Sequence, residues 1–364
     1  IFFDYQKAFD SIDIRLLLHK LTDLGFSAHI IRWLESYLIG RSQSVLIGNF
    51  LTPPSPIKSG VPQGSAIGPL LFILFINDLG KCIPKSVEFF ADDLKIYTTV
   101  PDRSDELQSA INNIADWTSQ WNMTLSTPKC AVLHLGRVKN RPKYMLNDLA
   151  IASSNNVRDL GVHFSKGLNF GYHITQITRK TRSMCNLMLR SFHTNSSNTL
   201  IKAYKIYIQP LLESSTVIWN PTAIGLVNRL ENVQREFTRR VLKRSQHPPL
   251  SYPNRLKLFE IETLEYRRAL RDLQFLHDSI HRHALVDATN LYTLAPLARS
   301  LRFSHGLRIS IPYRTGSIST CASRSITFWN NLPSRLATAP KIPFSVGLRK
   351  TPKLVMTTSR IRKL

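Results

Sequence analysis

The chain has only four cysteines in 364 residues, Cys82, Cys130, Cys185 and Cys321, and no C-x-x-C pair. That scatter argues against a zinc ribbon and a disulfide framework, and it fits a reduced, intracellular compartment. Long apolar runs are missing too. The stretch Leu70-Leu71-Phe72-Ile73-Leu74-Phe75-Ile76 is too short to span a bilayer and reads as a buried helix over Leu70 to Leu79. There is no signal peptide and no initial Met. Ile1 falls inside an apolar strand pattern, so the sequence is expected to begin part-way through a longer protein. No strongly amphipathic basic helix with a bulky apolar face and no lipid-attachment site is present, so no membrane partner is expected.

Acid is scarce in one part of the chain. Residues 1–100 hold nine Lys or Arg and nine Asp or Glu, whereas the remaining 264 hold 39 and 15, which is the whole formal excess of +24. A neutral front with acidic spots and a basic back point to a reaction centre joined to a polyanion-binding surface. The hydrophobic fraction of 43% is that of an ordinary globular protein, and the length suits about two domains.

Ile1-Phe2-Phe3 reads as a short strand ending at Asp4. Helical faces follow at Ile14 to Leu24 and, capped by Ser27, from Ile30 to Leu38. Ser42 to Ile47 alternates like a strand. Ser59-Gly60-Val61-Pro62-Gln63-Gly64-Ser65 is a loop dense in Gly and Pro before the apolar helix. Val87 to Phe90 and Leu94 to Tyr97 form a hairpin around Ala91-Asp92-Asp93. Asp105 to Trp121 is an amphipathic helix with Leu107, Ala110, Ile111, Ile114 and Trp117 inside. Ala131–Leu135 and Val157–Phe164 read as strands. Helices then dominate, over Ile174 to Arg190, Leu200 to Leu212, Val227 to Val241 and Leu264 to His281, with a break at His247-Pro248-Pro249. The expected fold class is α+β, an antiparallel sheet with flanking helices followed by a basic helical region.

Asp92 and Asp93 taken alone are a solvated acidic turn. With Asp4 on an adjacent strand, three carboxylates converge, the arrangement that holds two Mg²⁺ (or Mn²⁺) ions about 3.5–4 Å apart. Hard oxygen donors with no His or Cys nearby favour those ions over Zn²⁺. Asp13, Asp23 and Asp78 read as helix-end charges, Lys7 and Asp10 as local loop contacts. Trp33, Trp117, Trp121, Trp219 and Trp329 read as core. His277 and His281 lie four apart near His283, a spacing that can bind metal but lacks an acidic or Cys partner in any known pattern. The basic runs around Arg179, Lys180 and Arg182 and around Arg239 and Arg240 read as a nucleic-acid-binding surface that grips phosphates.

The stretches Phe3-Asp4-Tyr5-Gln6-Lys7-Ala8-Phe9-Asp10, Ser59 to Ser65 and Phe90-Ala91-Asp92-Asp93 resemble, in this order, palm motifs A, B and C of reverse transcriptases, above all those of LINE-type (non-LTR) retrotransposons. Lys129 in Leu125-Ser126-Thr127-Pro128-Lys129-Cys130 resembles motif D, and Asp159-Leu160-Gly161-Val162 resembles the primer-grip hairpin. Looser likeness runs through Trp219-Asn220-Pro221, Asn232 to Arg239 and Phe328 to Pro333. The resemblance implies a right-hand polymerase palm over 1–165 with fingers missing upstream, a helical thumb over 166–246 and a basic C-terminal extension over 247–364.

It further implies an RNA-directed DNA polymerase that uses an RNA template, a DNA primer and dNTPs. Work on nuclear DNA would place it in the nucleus, with a cytoplasmic ribonucleoprotein as the other compartment. Asp4 and Asp92 would bridge the metals, Asp93 would be more peripheral, and the Tyr5 carbonyl would add a ligand. Phe9 would be the steric gate against a ribose 2′-OH, with Gln63 and Gly64 under the nascent base pair. Lys129 would protonate the leaving pyrophosphate, and Leu160 and Gly161 would form the primer grip. The alternatives are a catalytically inactive nucleic-acid-binding remnant of such an element and a maturase-like protein. Protein partners are not legible in the sequence.

Overall fold

In the computed structural model, the described residues are 1–83, 87–99, 103–136, 141–281, 283, 291–294, 306–311 and 320–350. Parts of the extension expected over 247–364 therefore lie outside them. The chain divides into two compact units. The first comprises Ile1–Val157 and Ser165–Gly167, the second Arg158–Phe164 and Leu168–Leu364.

The first unit is mixed α/β. Strand β1 (Phe2–Phe3) leads into α1 (Ala8–Ser11), α2 (Ile14–Asp23) and α3 (Ala28–Leu38). The Asp13 carboxylate caps α2 by accepting from the Arg15 and Leu16 amides, and the Ser27 hydroxyl caps α3 by accepting from Ile30. The single strand read over Ser42 to Ile47 is instead two. β2 (Ser42–Gln43) pairs with β5 (Ser55–Pro56), and β3 (Leu46–Ile47) pairs with β4 (Phe50–Leu51). Gly48-Asn49 is the two-residue turn of the inner hairpin, and the Val45 amide is diverted to the Thr52 hydroxyl at 2.8 Å, which breaks the run between β2 and β3.

The apolar helix is α4 (Gly68–Ile76), followed by α5 (Leu79–Cys82). It is not buried all round. Leu71, Phe72, Phe75 and Ile76 face the core while Leu70 and Ile73 are exposed, because a 3.6-residue period turns part of any such run outward. Then come β6 (Val87–Phe90), β7 (Asp93–Ile96), α6 (Ser104–Gln120), β8 (Ala131–Leu133), the β9 (Met145–Leu146) and β10 (Leu149–Ala150) pair, and β11 (Ala152–Ser154). Five strands form one sheet in the order β11-β8-β1-β7-β6, antiparallel except for β11 beside β8. All five apolar positions foreseen for α6 are buried.

Two further expectations fail in this unit. Trp33 is exposed on the outer face of α3, where it stacks on Tyr37. Asp78 is more than a helix-end charge. It accepts from the buried Lys20 ammonium at 2.7 Å and from the Trp117 indole at 3.2 Å, while Lys20 also lies 3.5 Å over the Trp121 ring. Burial pulls the Lys20 pKa down and Asp78 opposes that shift. An ammonium in a core needs such a counter-ion.

The stretch Val157–Phe164, read as one strand, folds back as the hairpin β12 (Asn156–Asp159) and β13 (Val162–Ser165), whose tip belongs to the second unit. That unit is otherwise helical: α7 (Gly171–Ser191), α8 (Ser197–Ala203), α9 (Gln209–Glu213), α10 (Thr216–Trp219), α11 (Ile224–Arg244), α12 (Tyr252–Leu258) and α13 (Leu264–Ile280). The one helix expected over Leu200 to Leu212 contains a π turn at Tyr204–Ile208 between α8 and α9. Pro210 has no N–H for the normal ladder, and the wider turn accommodates it. Trp219 and Phe237 centre one core. A second core joins α13 to the β14 (Thr293–Leu294) and β15 (Ile309–Ser310) pair, α14 (Cys321–Asn330), α15 (Ser334–Ala337) and α16 (Lys341–Lys350), around Trp329 and Phe344.

Candidate active site

The register of the sheet builds the acidic centre. Phe2 pairs with Lys95 and Phe3 with Leu94, so the next residue, Asp4, stands across from Asp93. Phe90 pairs with Asp93, leaving Ala91-Asp92 as a two-residue turn, with Ala91 in the left-handed region at φ 53° as so short a hairpin needs. Phe3 and Tyr5 point into the core, and so does Leu94. By strand alternation, the Asp4 and Asp93 side chains share the opposite face. Asp92 is exposed in the turn.

The Tyr5 main chain is held on one side. Tyr5 and Leu125 form an isolated antiparallel bridge flanked by Ser126 N–H to Asp4 O and Gln6 N–H to Thr124 O, each 2.8 Å. A residue between two such bonds turns its own carbonyl away, here to the side of β7 and the acidic turn. The Tyr5 side chain is buried and takes no part.

Lys129 ends a 3₁₀ turn (Thr127–Lys129) and donates to Asp4 Oδ1 at 3.1 Å. With side chains 65% and 44% exposed, this pair contributes under about 1 kcal/mol. A cysteine does lie nearby, contrary to expectation. Cys130 is buried against the Asp4 main chain, and burial raises its pKa, so it stays a thiol behind the strand. Among the described residues no three His, Cys, Asp or Glu side chains gather as a ready-made metal cage. The outward-facing donors are all oxygens on one edge, which suits a hard divalent cation completed by substrate or water oxygens.

Phe9, on α1, stacks on the buried Phe72 ring at 4.5 Å between centroids. It is a half-buried ring held by the core. Gln63 donates through Nε2 to Asp10 Oδ1 at 2.8 Å. Gly64 has φ 80° with open space where a side chain would go, whereas at Gly60 (φ 83°) a Cβ would sit 2.6 Å from the Asp10 Cα. Gly60 is thus the position where only glycine fits, and the Gly-Pro-rich spelling of the loop did not single it out. Arg41 donates to the Gly60 carbonyl at 2.5 Å. Beside this loop lies a cavity of about 1210 Å³ whose lining includes Lys7, Arg41, Lys58 and Lys129, with Asp10 its one carboxylate among the described residues. Four cations against one acid suit a phosphate-rich ligand. Lys7, Asp10, Arg41 and Lys58 were not foreseen here, since they lie far apart in sequence and only the fold assembles them.

In the second unit, Leu160 (φ 44°) and Gly161 (φ 86°) form the exposed turn of β12–β13. Beside it, His163 donates its amide to His173 Nδ1 at 3.3 Å, and His173 packs against Trp219. Burial, with His163 and Arg158 nearby, lowers the His173 pKa to about 4. Arg179, Lys180 and Arg182 are exposed on α7, Arg239 and Arg240 on α11. Two of them have partners. Arg182 meets Glu236 at 3.3 Å, and Arg240 donates to Asn186 at 2.5 Å. Arg179 and Arg182 line a groove of about 720 Å³ with Arg229, which sequence reading missed. His277 and His281 hold the Ala339 and Ala337 carbonyls through Nε2 at 2.7 and 2.9 Å, a structural use of their spacing.

A strand-end carboxylate thus stands in register with an acidic two-residue hairpin. Residues 1–164 match the family described as reverse transcriptase (RNA-dependent DNA polymerase), and the chain is similar to polymerases of mobile elements. It is 26% identical to the RNA-directed DNA polymerase from mobile element jockey of Drosophila funebris, over 66% of this chain and 28% of that protein. It is 26% identical to the probable RNA-directed DNA polymerase from transposon BS of Drosophila melanogaster, over 83% and 35%. To the Pol polyprotein from type-1 retrotransposable element R2 of Popillia japonica it is 22% identical, over 67% and 42%. The chain thus spans less than half of each of these relatives. The likeness to the transposon BS protein covers 321 residues and so reaches well past residue 164.

Proposed function

We propose that this chain carries the palm (1–165), helical thumb (166–246) and C-terminal extension (247–364) of an RNA-directed DNA polymerase that adds dNTPs to a DNA primer on an RNA template. The observation that carries this reading is the register of Asp4 opposite Asp93, with Asp92 in the turn beside the side to which the Tyr5 carbonyl points. Asp4, Asp92 and that carbonyl are the residues that would hold two Mg²⁺ or Mn²⁺ ions, with Asp93 more peripheral. Such ions activate a primer hydroxyl and neutralise a leaving pyrophosphate. Lys129 Nζ donates to Asp4 Oδ1 at 3.1 Å and would protonate the leaving pyrophosphate. Phe9, braced by Phe72, would exclude a 2′-hydroxyl, and Gln63-Gly64 would lie under the new base pair. The Leu160-Gly161 turn would grip the primer, while Arg179, Lys180, Arg182, Arg239 and Arg240 hold phosphates.

The test is primer extension on an RNA template with dNTPs and Mg²⁺. Asp92→Ala is expected to lower the rate on the order of 10³-fold, about 4 kcal/mol of transition-state stabilisation. Phe9→Val is expected to raise ribonucleotide incorporation roughly tenfold or more. Extension that survives Asp92→Ala unchanged refutes the metal assignment. Salt-dependent RNA binding with no extension at any dNTP concentration supports the inactive remnant instead.

A further inference from the structure

We infer that Asp10 is a positioning residue that fixes which end of the Gln63 amide faces the substrate cavity; the inference rests on the polymerase reading for its kinetic consequence but not for its geometry. Gln63 Nε2 donates to Asp10 Oδ1 at 2.8 Å. An ionised carboxylate only accepts hydrogen bonds, so the amide nitrogen must face Asp10 and Oε1 must face away. Both residues line the cationic cavity, so Gln63 offers it a carbonyl oxygen. Among Lys7, Arg41, Lys58 and Lys129, that oxygen is a built-in acceptor for a donor group on the bound nucleotide, which phosphate oxygens cannot supply.

The backbone around Asp10 is arranged to hold this contact. The Ser59 hydroxyl donates to the Asp10 carbonyl at 2.8 Å. The Val61 amide donates to Phe9 O at 2.9 Å and the Gly60 amide to Ile12 O at 2.8 Å. Gly60 lies so close that a Cβ would strike Asp10. Three residues of α1 and its exit, Phe9, Asp10 and Ile12, are therefore tied to the loop that carries Gln63, and Arg41 holds the Gly60 carbonyl. The same short helix supplies Phe9. Gate and amide are thus set by one rigid piece, and Asp10 is the link through a side chain.

The test combines a double-mutant cycle with a measurement independent of catalysis. Asp10→Ala is expected to raise KM for dNTP roughly three- to tenfold with kcat within about twofold. Gln63→Ala should do the same, and the double variant should be no worse than either single one. Asp10→Asn keeps an acceptor but can also present its own N–H₂, so it should recover only part of the loss. In protein labelled with ¹⁵N-glutamine, the Gln63 side-chain N–H₂ pair should shift and exchange faster in Asp10→Ala and in Asp10→Asn. Additive effects in the cycle, or a Gln63 amide indifferent to both substitutions, overturn the inference. Should the parent chain not extend primers, the polymerase reading fails, and the amide resonances still decide the Asp10–Gln63 contact.

Discussion

Asp4 and Asp272 are both carboxylates paired with a basic side chain, and they sit in opposite surroundings. Asp4, in the first unit, is 44% exposed and touches Lys129 at 3.1 Å. Asp272, in the second, is 1% exposed and meets Arg324 at 2.9 Å, with Asn220 donating at 2.8 Å. Burial pushes the Asp272 pKa up and Arg324 with Asn220 holds it back. The contrast extends to neighbours. Glu213, 2% exposed, accepts from Arg267 and Arg271. Glu231 accepts the Leu264 amide and the Tyr252 hydroxyl. The first unit thus leaves Asp4, Asp92 and Asp93 open to a cation or substrate, while Asp78 and Asp13 serve the fold. Much of the acid in the second unit joins helices to each other, leaving its surface dominated by arginine and lysine.

The comparison breaks most visibly if the buried pair proves dispensable. Asp272→Ala removes the buried carboxylate that Arg324 and Asn220 hold and is expected to destabilise the protein by about 3–5 kcal/mol, whereas Lys129→Ala should cost under about 1 kcal/mol. Chemical unfolding of the two variants measures both. A similar loss for each would mean that exposure does not separate the units.

A pH titration sharpens the point. The His173 pKa is about 4 in the folded chain against the ordinary 6.5. Between those values the unfolded chain binds a proton that the folded chain does not. Stability is therefore full above about pH 6.5 and falls as pH drops towards 4, by roughly 3 kcal/mol. His173→Phe should flatten that part of the melting-temperature profile. An unchanged slope would remove His173 from the account.

Glycine substitutions test the first unit. Gly60→Ala meets both a left-handed φ and the Asp10 backbone, and should cost about 2–4 kcal/mol. Gly64→Ala meets only the φ, and should cost about 1 kcal/mol. Equal thermal shifts would show that the loop is not stitched to α1 as described. The smallest effect concerns the basic groove. Arg179→Ala should lower the slope of log affinity against log salt for RNA by about 1, and Arg182→Ala by less, because Glu236 already holds it. Filter binding across a salt series separates the two.

Much of this was legible in the residues. The inward face of α6, the caps at Asp13 and Ser27, and the hairpin around Asp92 follow from local periodicity and hydrogen-bonding habit. Errors arose where a local pattern had two outcomes. An apolar run does not say how much of its circumference a neighbour covers, so α4 and Trp33 were placed too deep. An alternating run does not say where it folds back, so Ser42 to Ile47 and Val157–Phe164 were read as single strands. Asp10 looked like a loop contact because its partner lies 53 residues away.

By itself the sequence determined the resemblance to reverse transcriptases, the order of the three acidic and loop motifs, and the division between a neutral front and a basic back, since these depend on residue identity and local spacing. Only the tertiary structure decided that Asp4 stands across from Asp93, that Gly60 rather than Gly64 is sterically fixed, and that Asp10 orients Gln63. Each of those depends on which backbone segments lie within a few ångströms, and strand register and loop packing set that distance where local propensity does not.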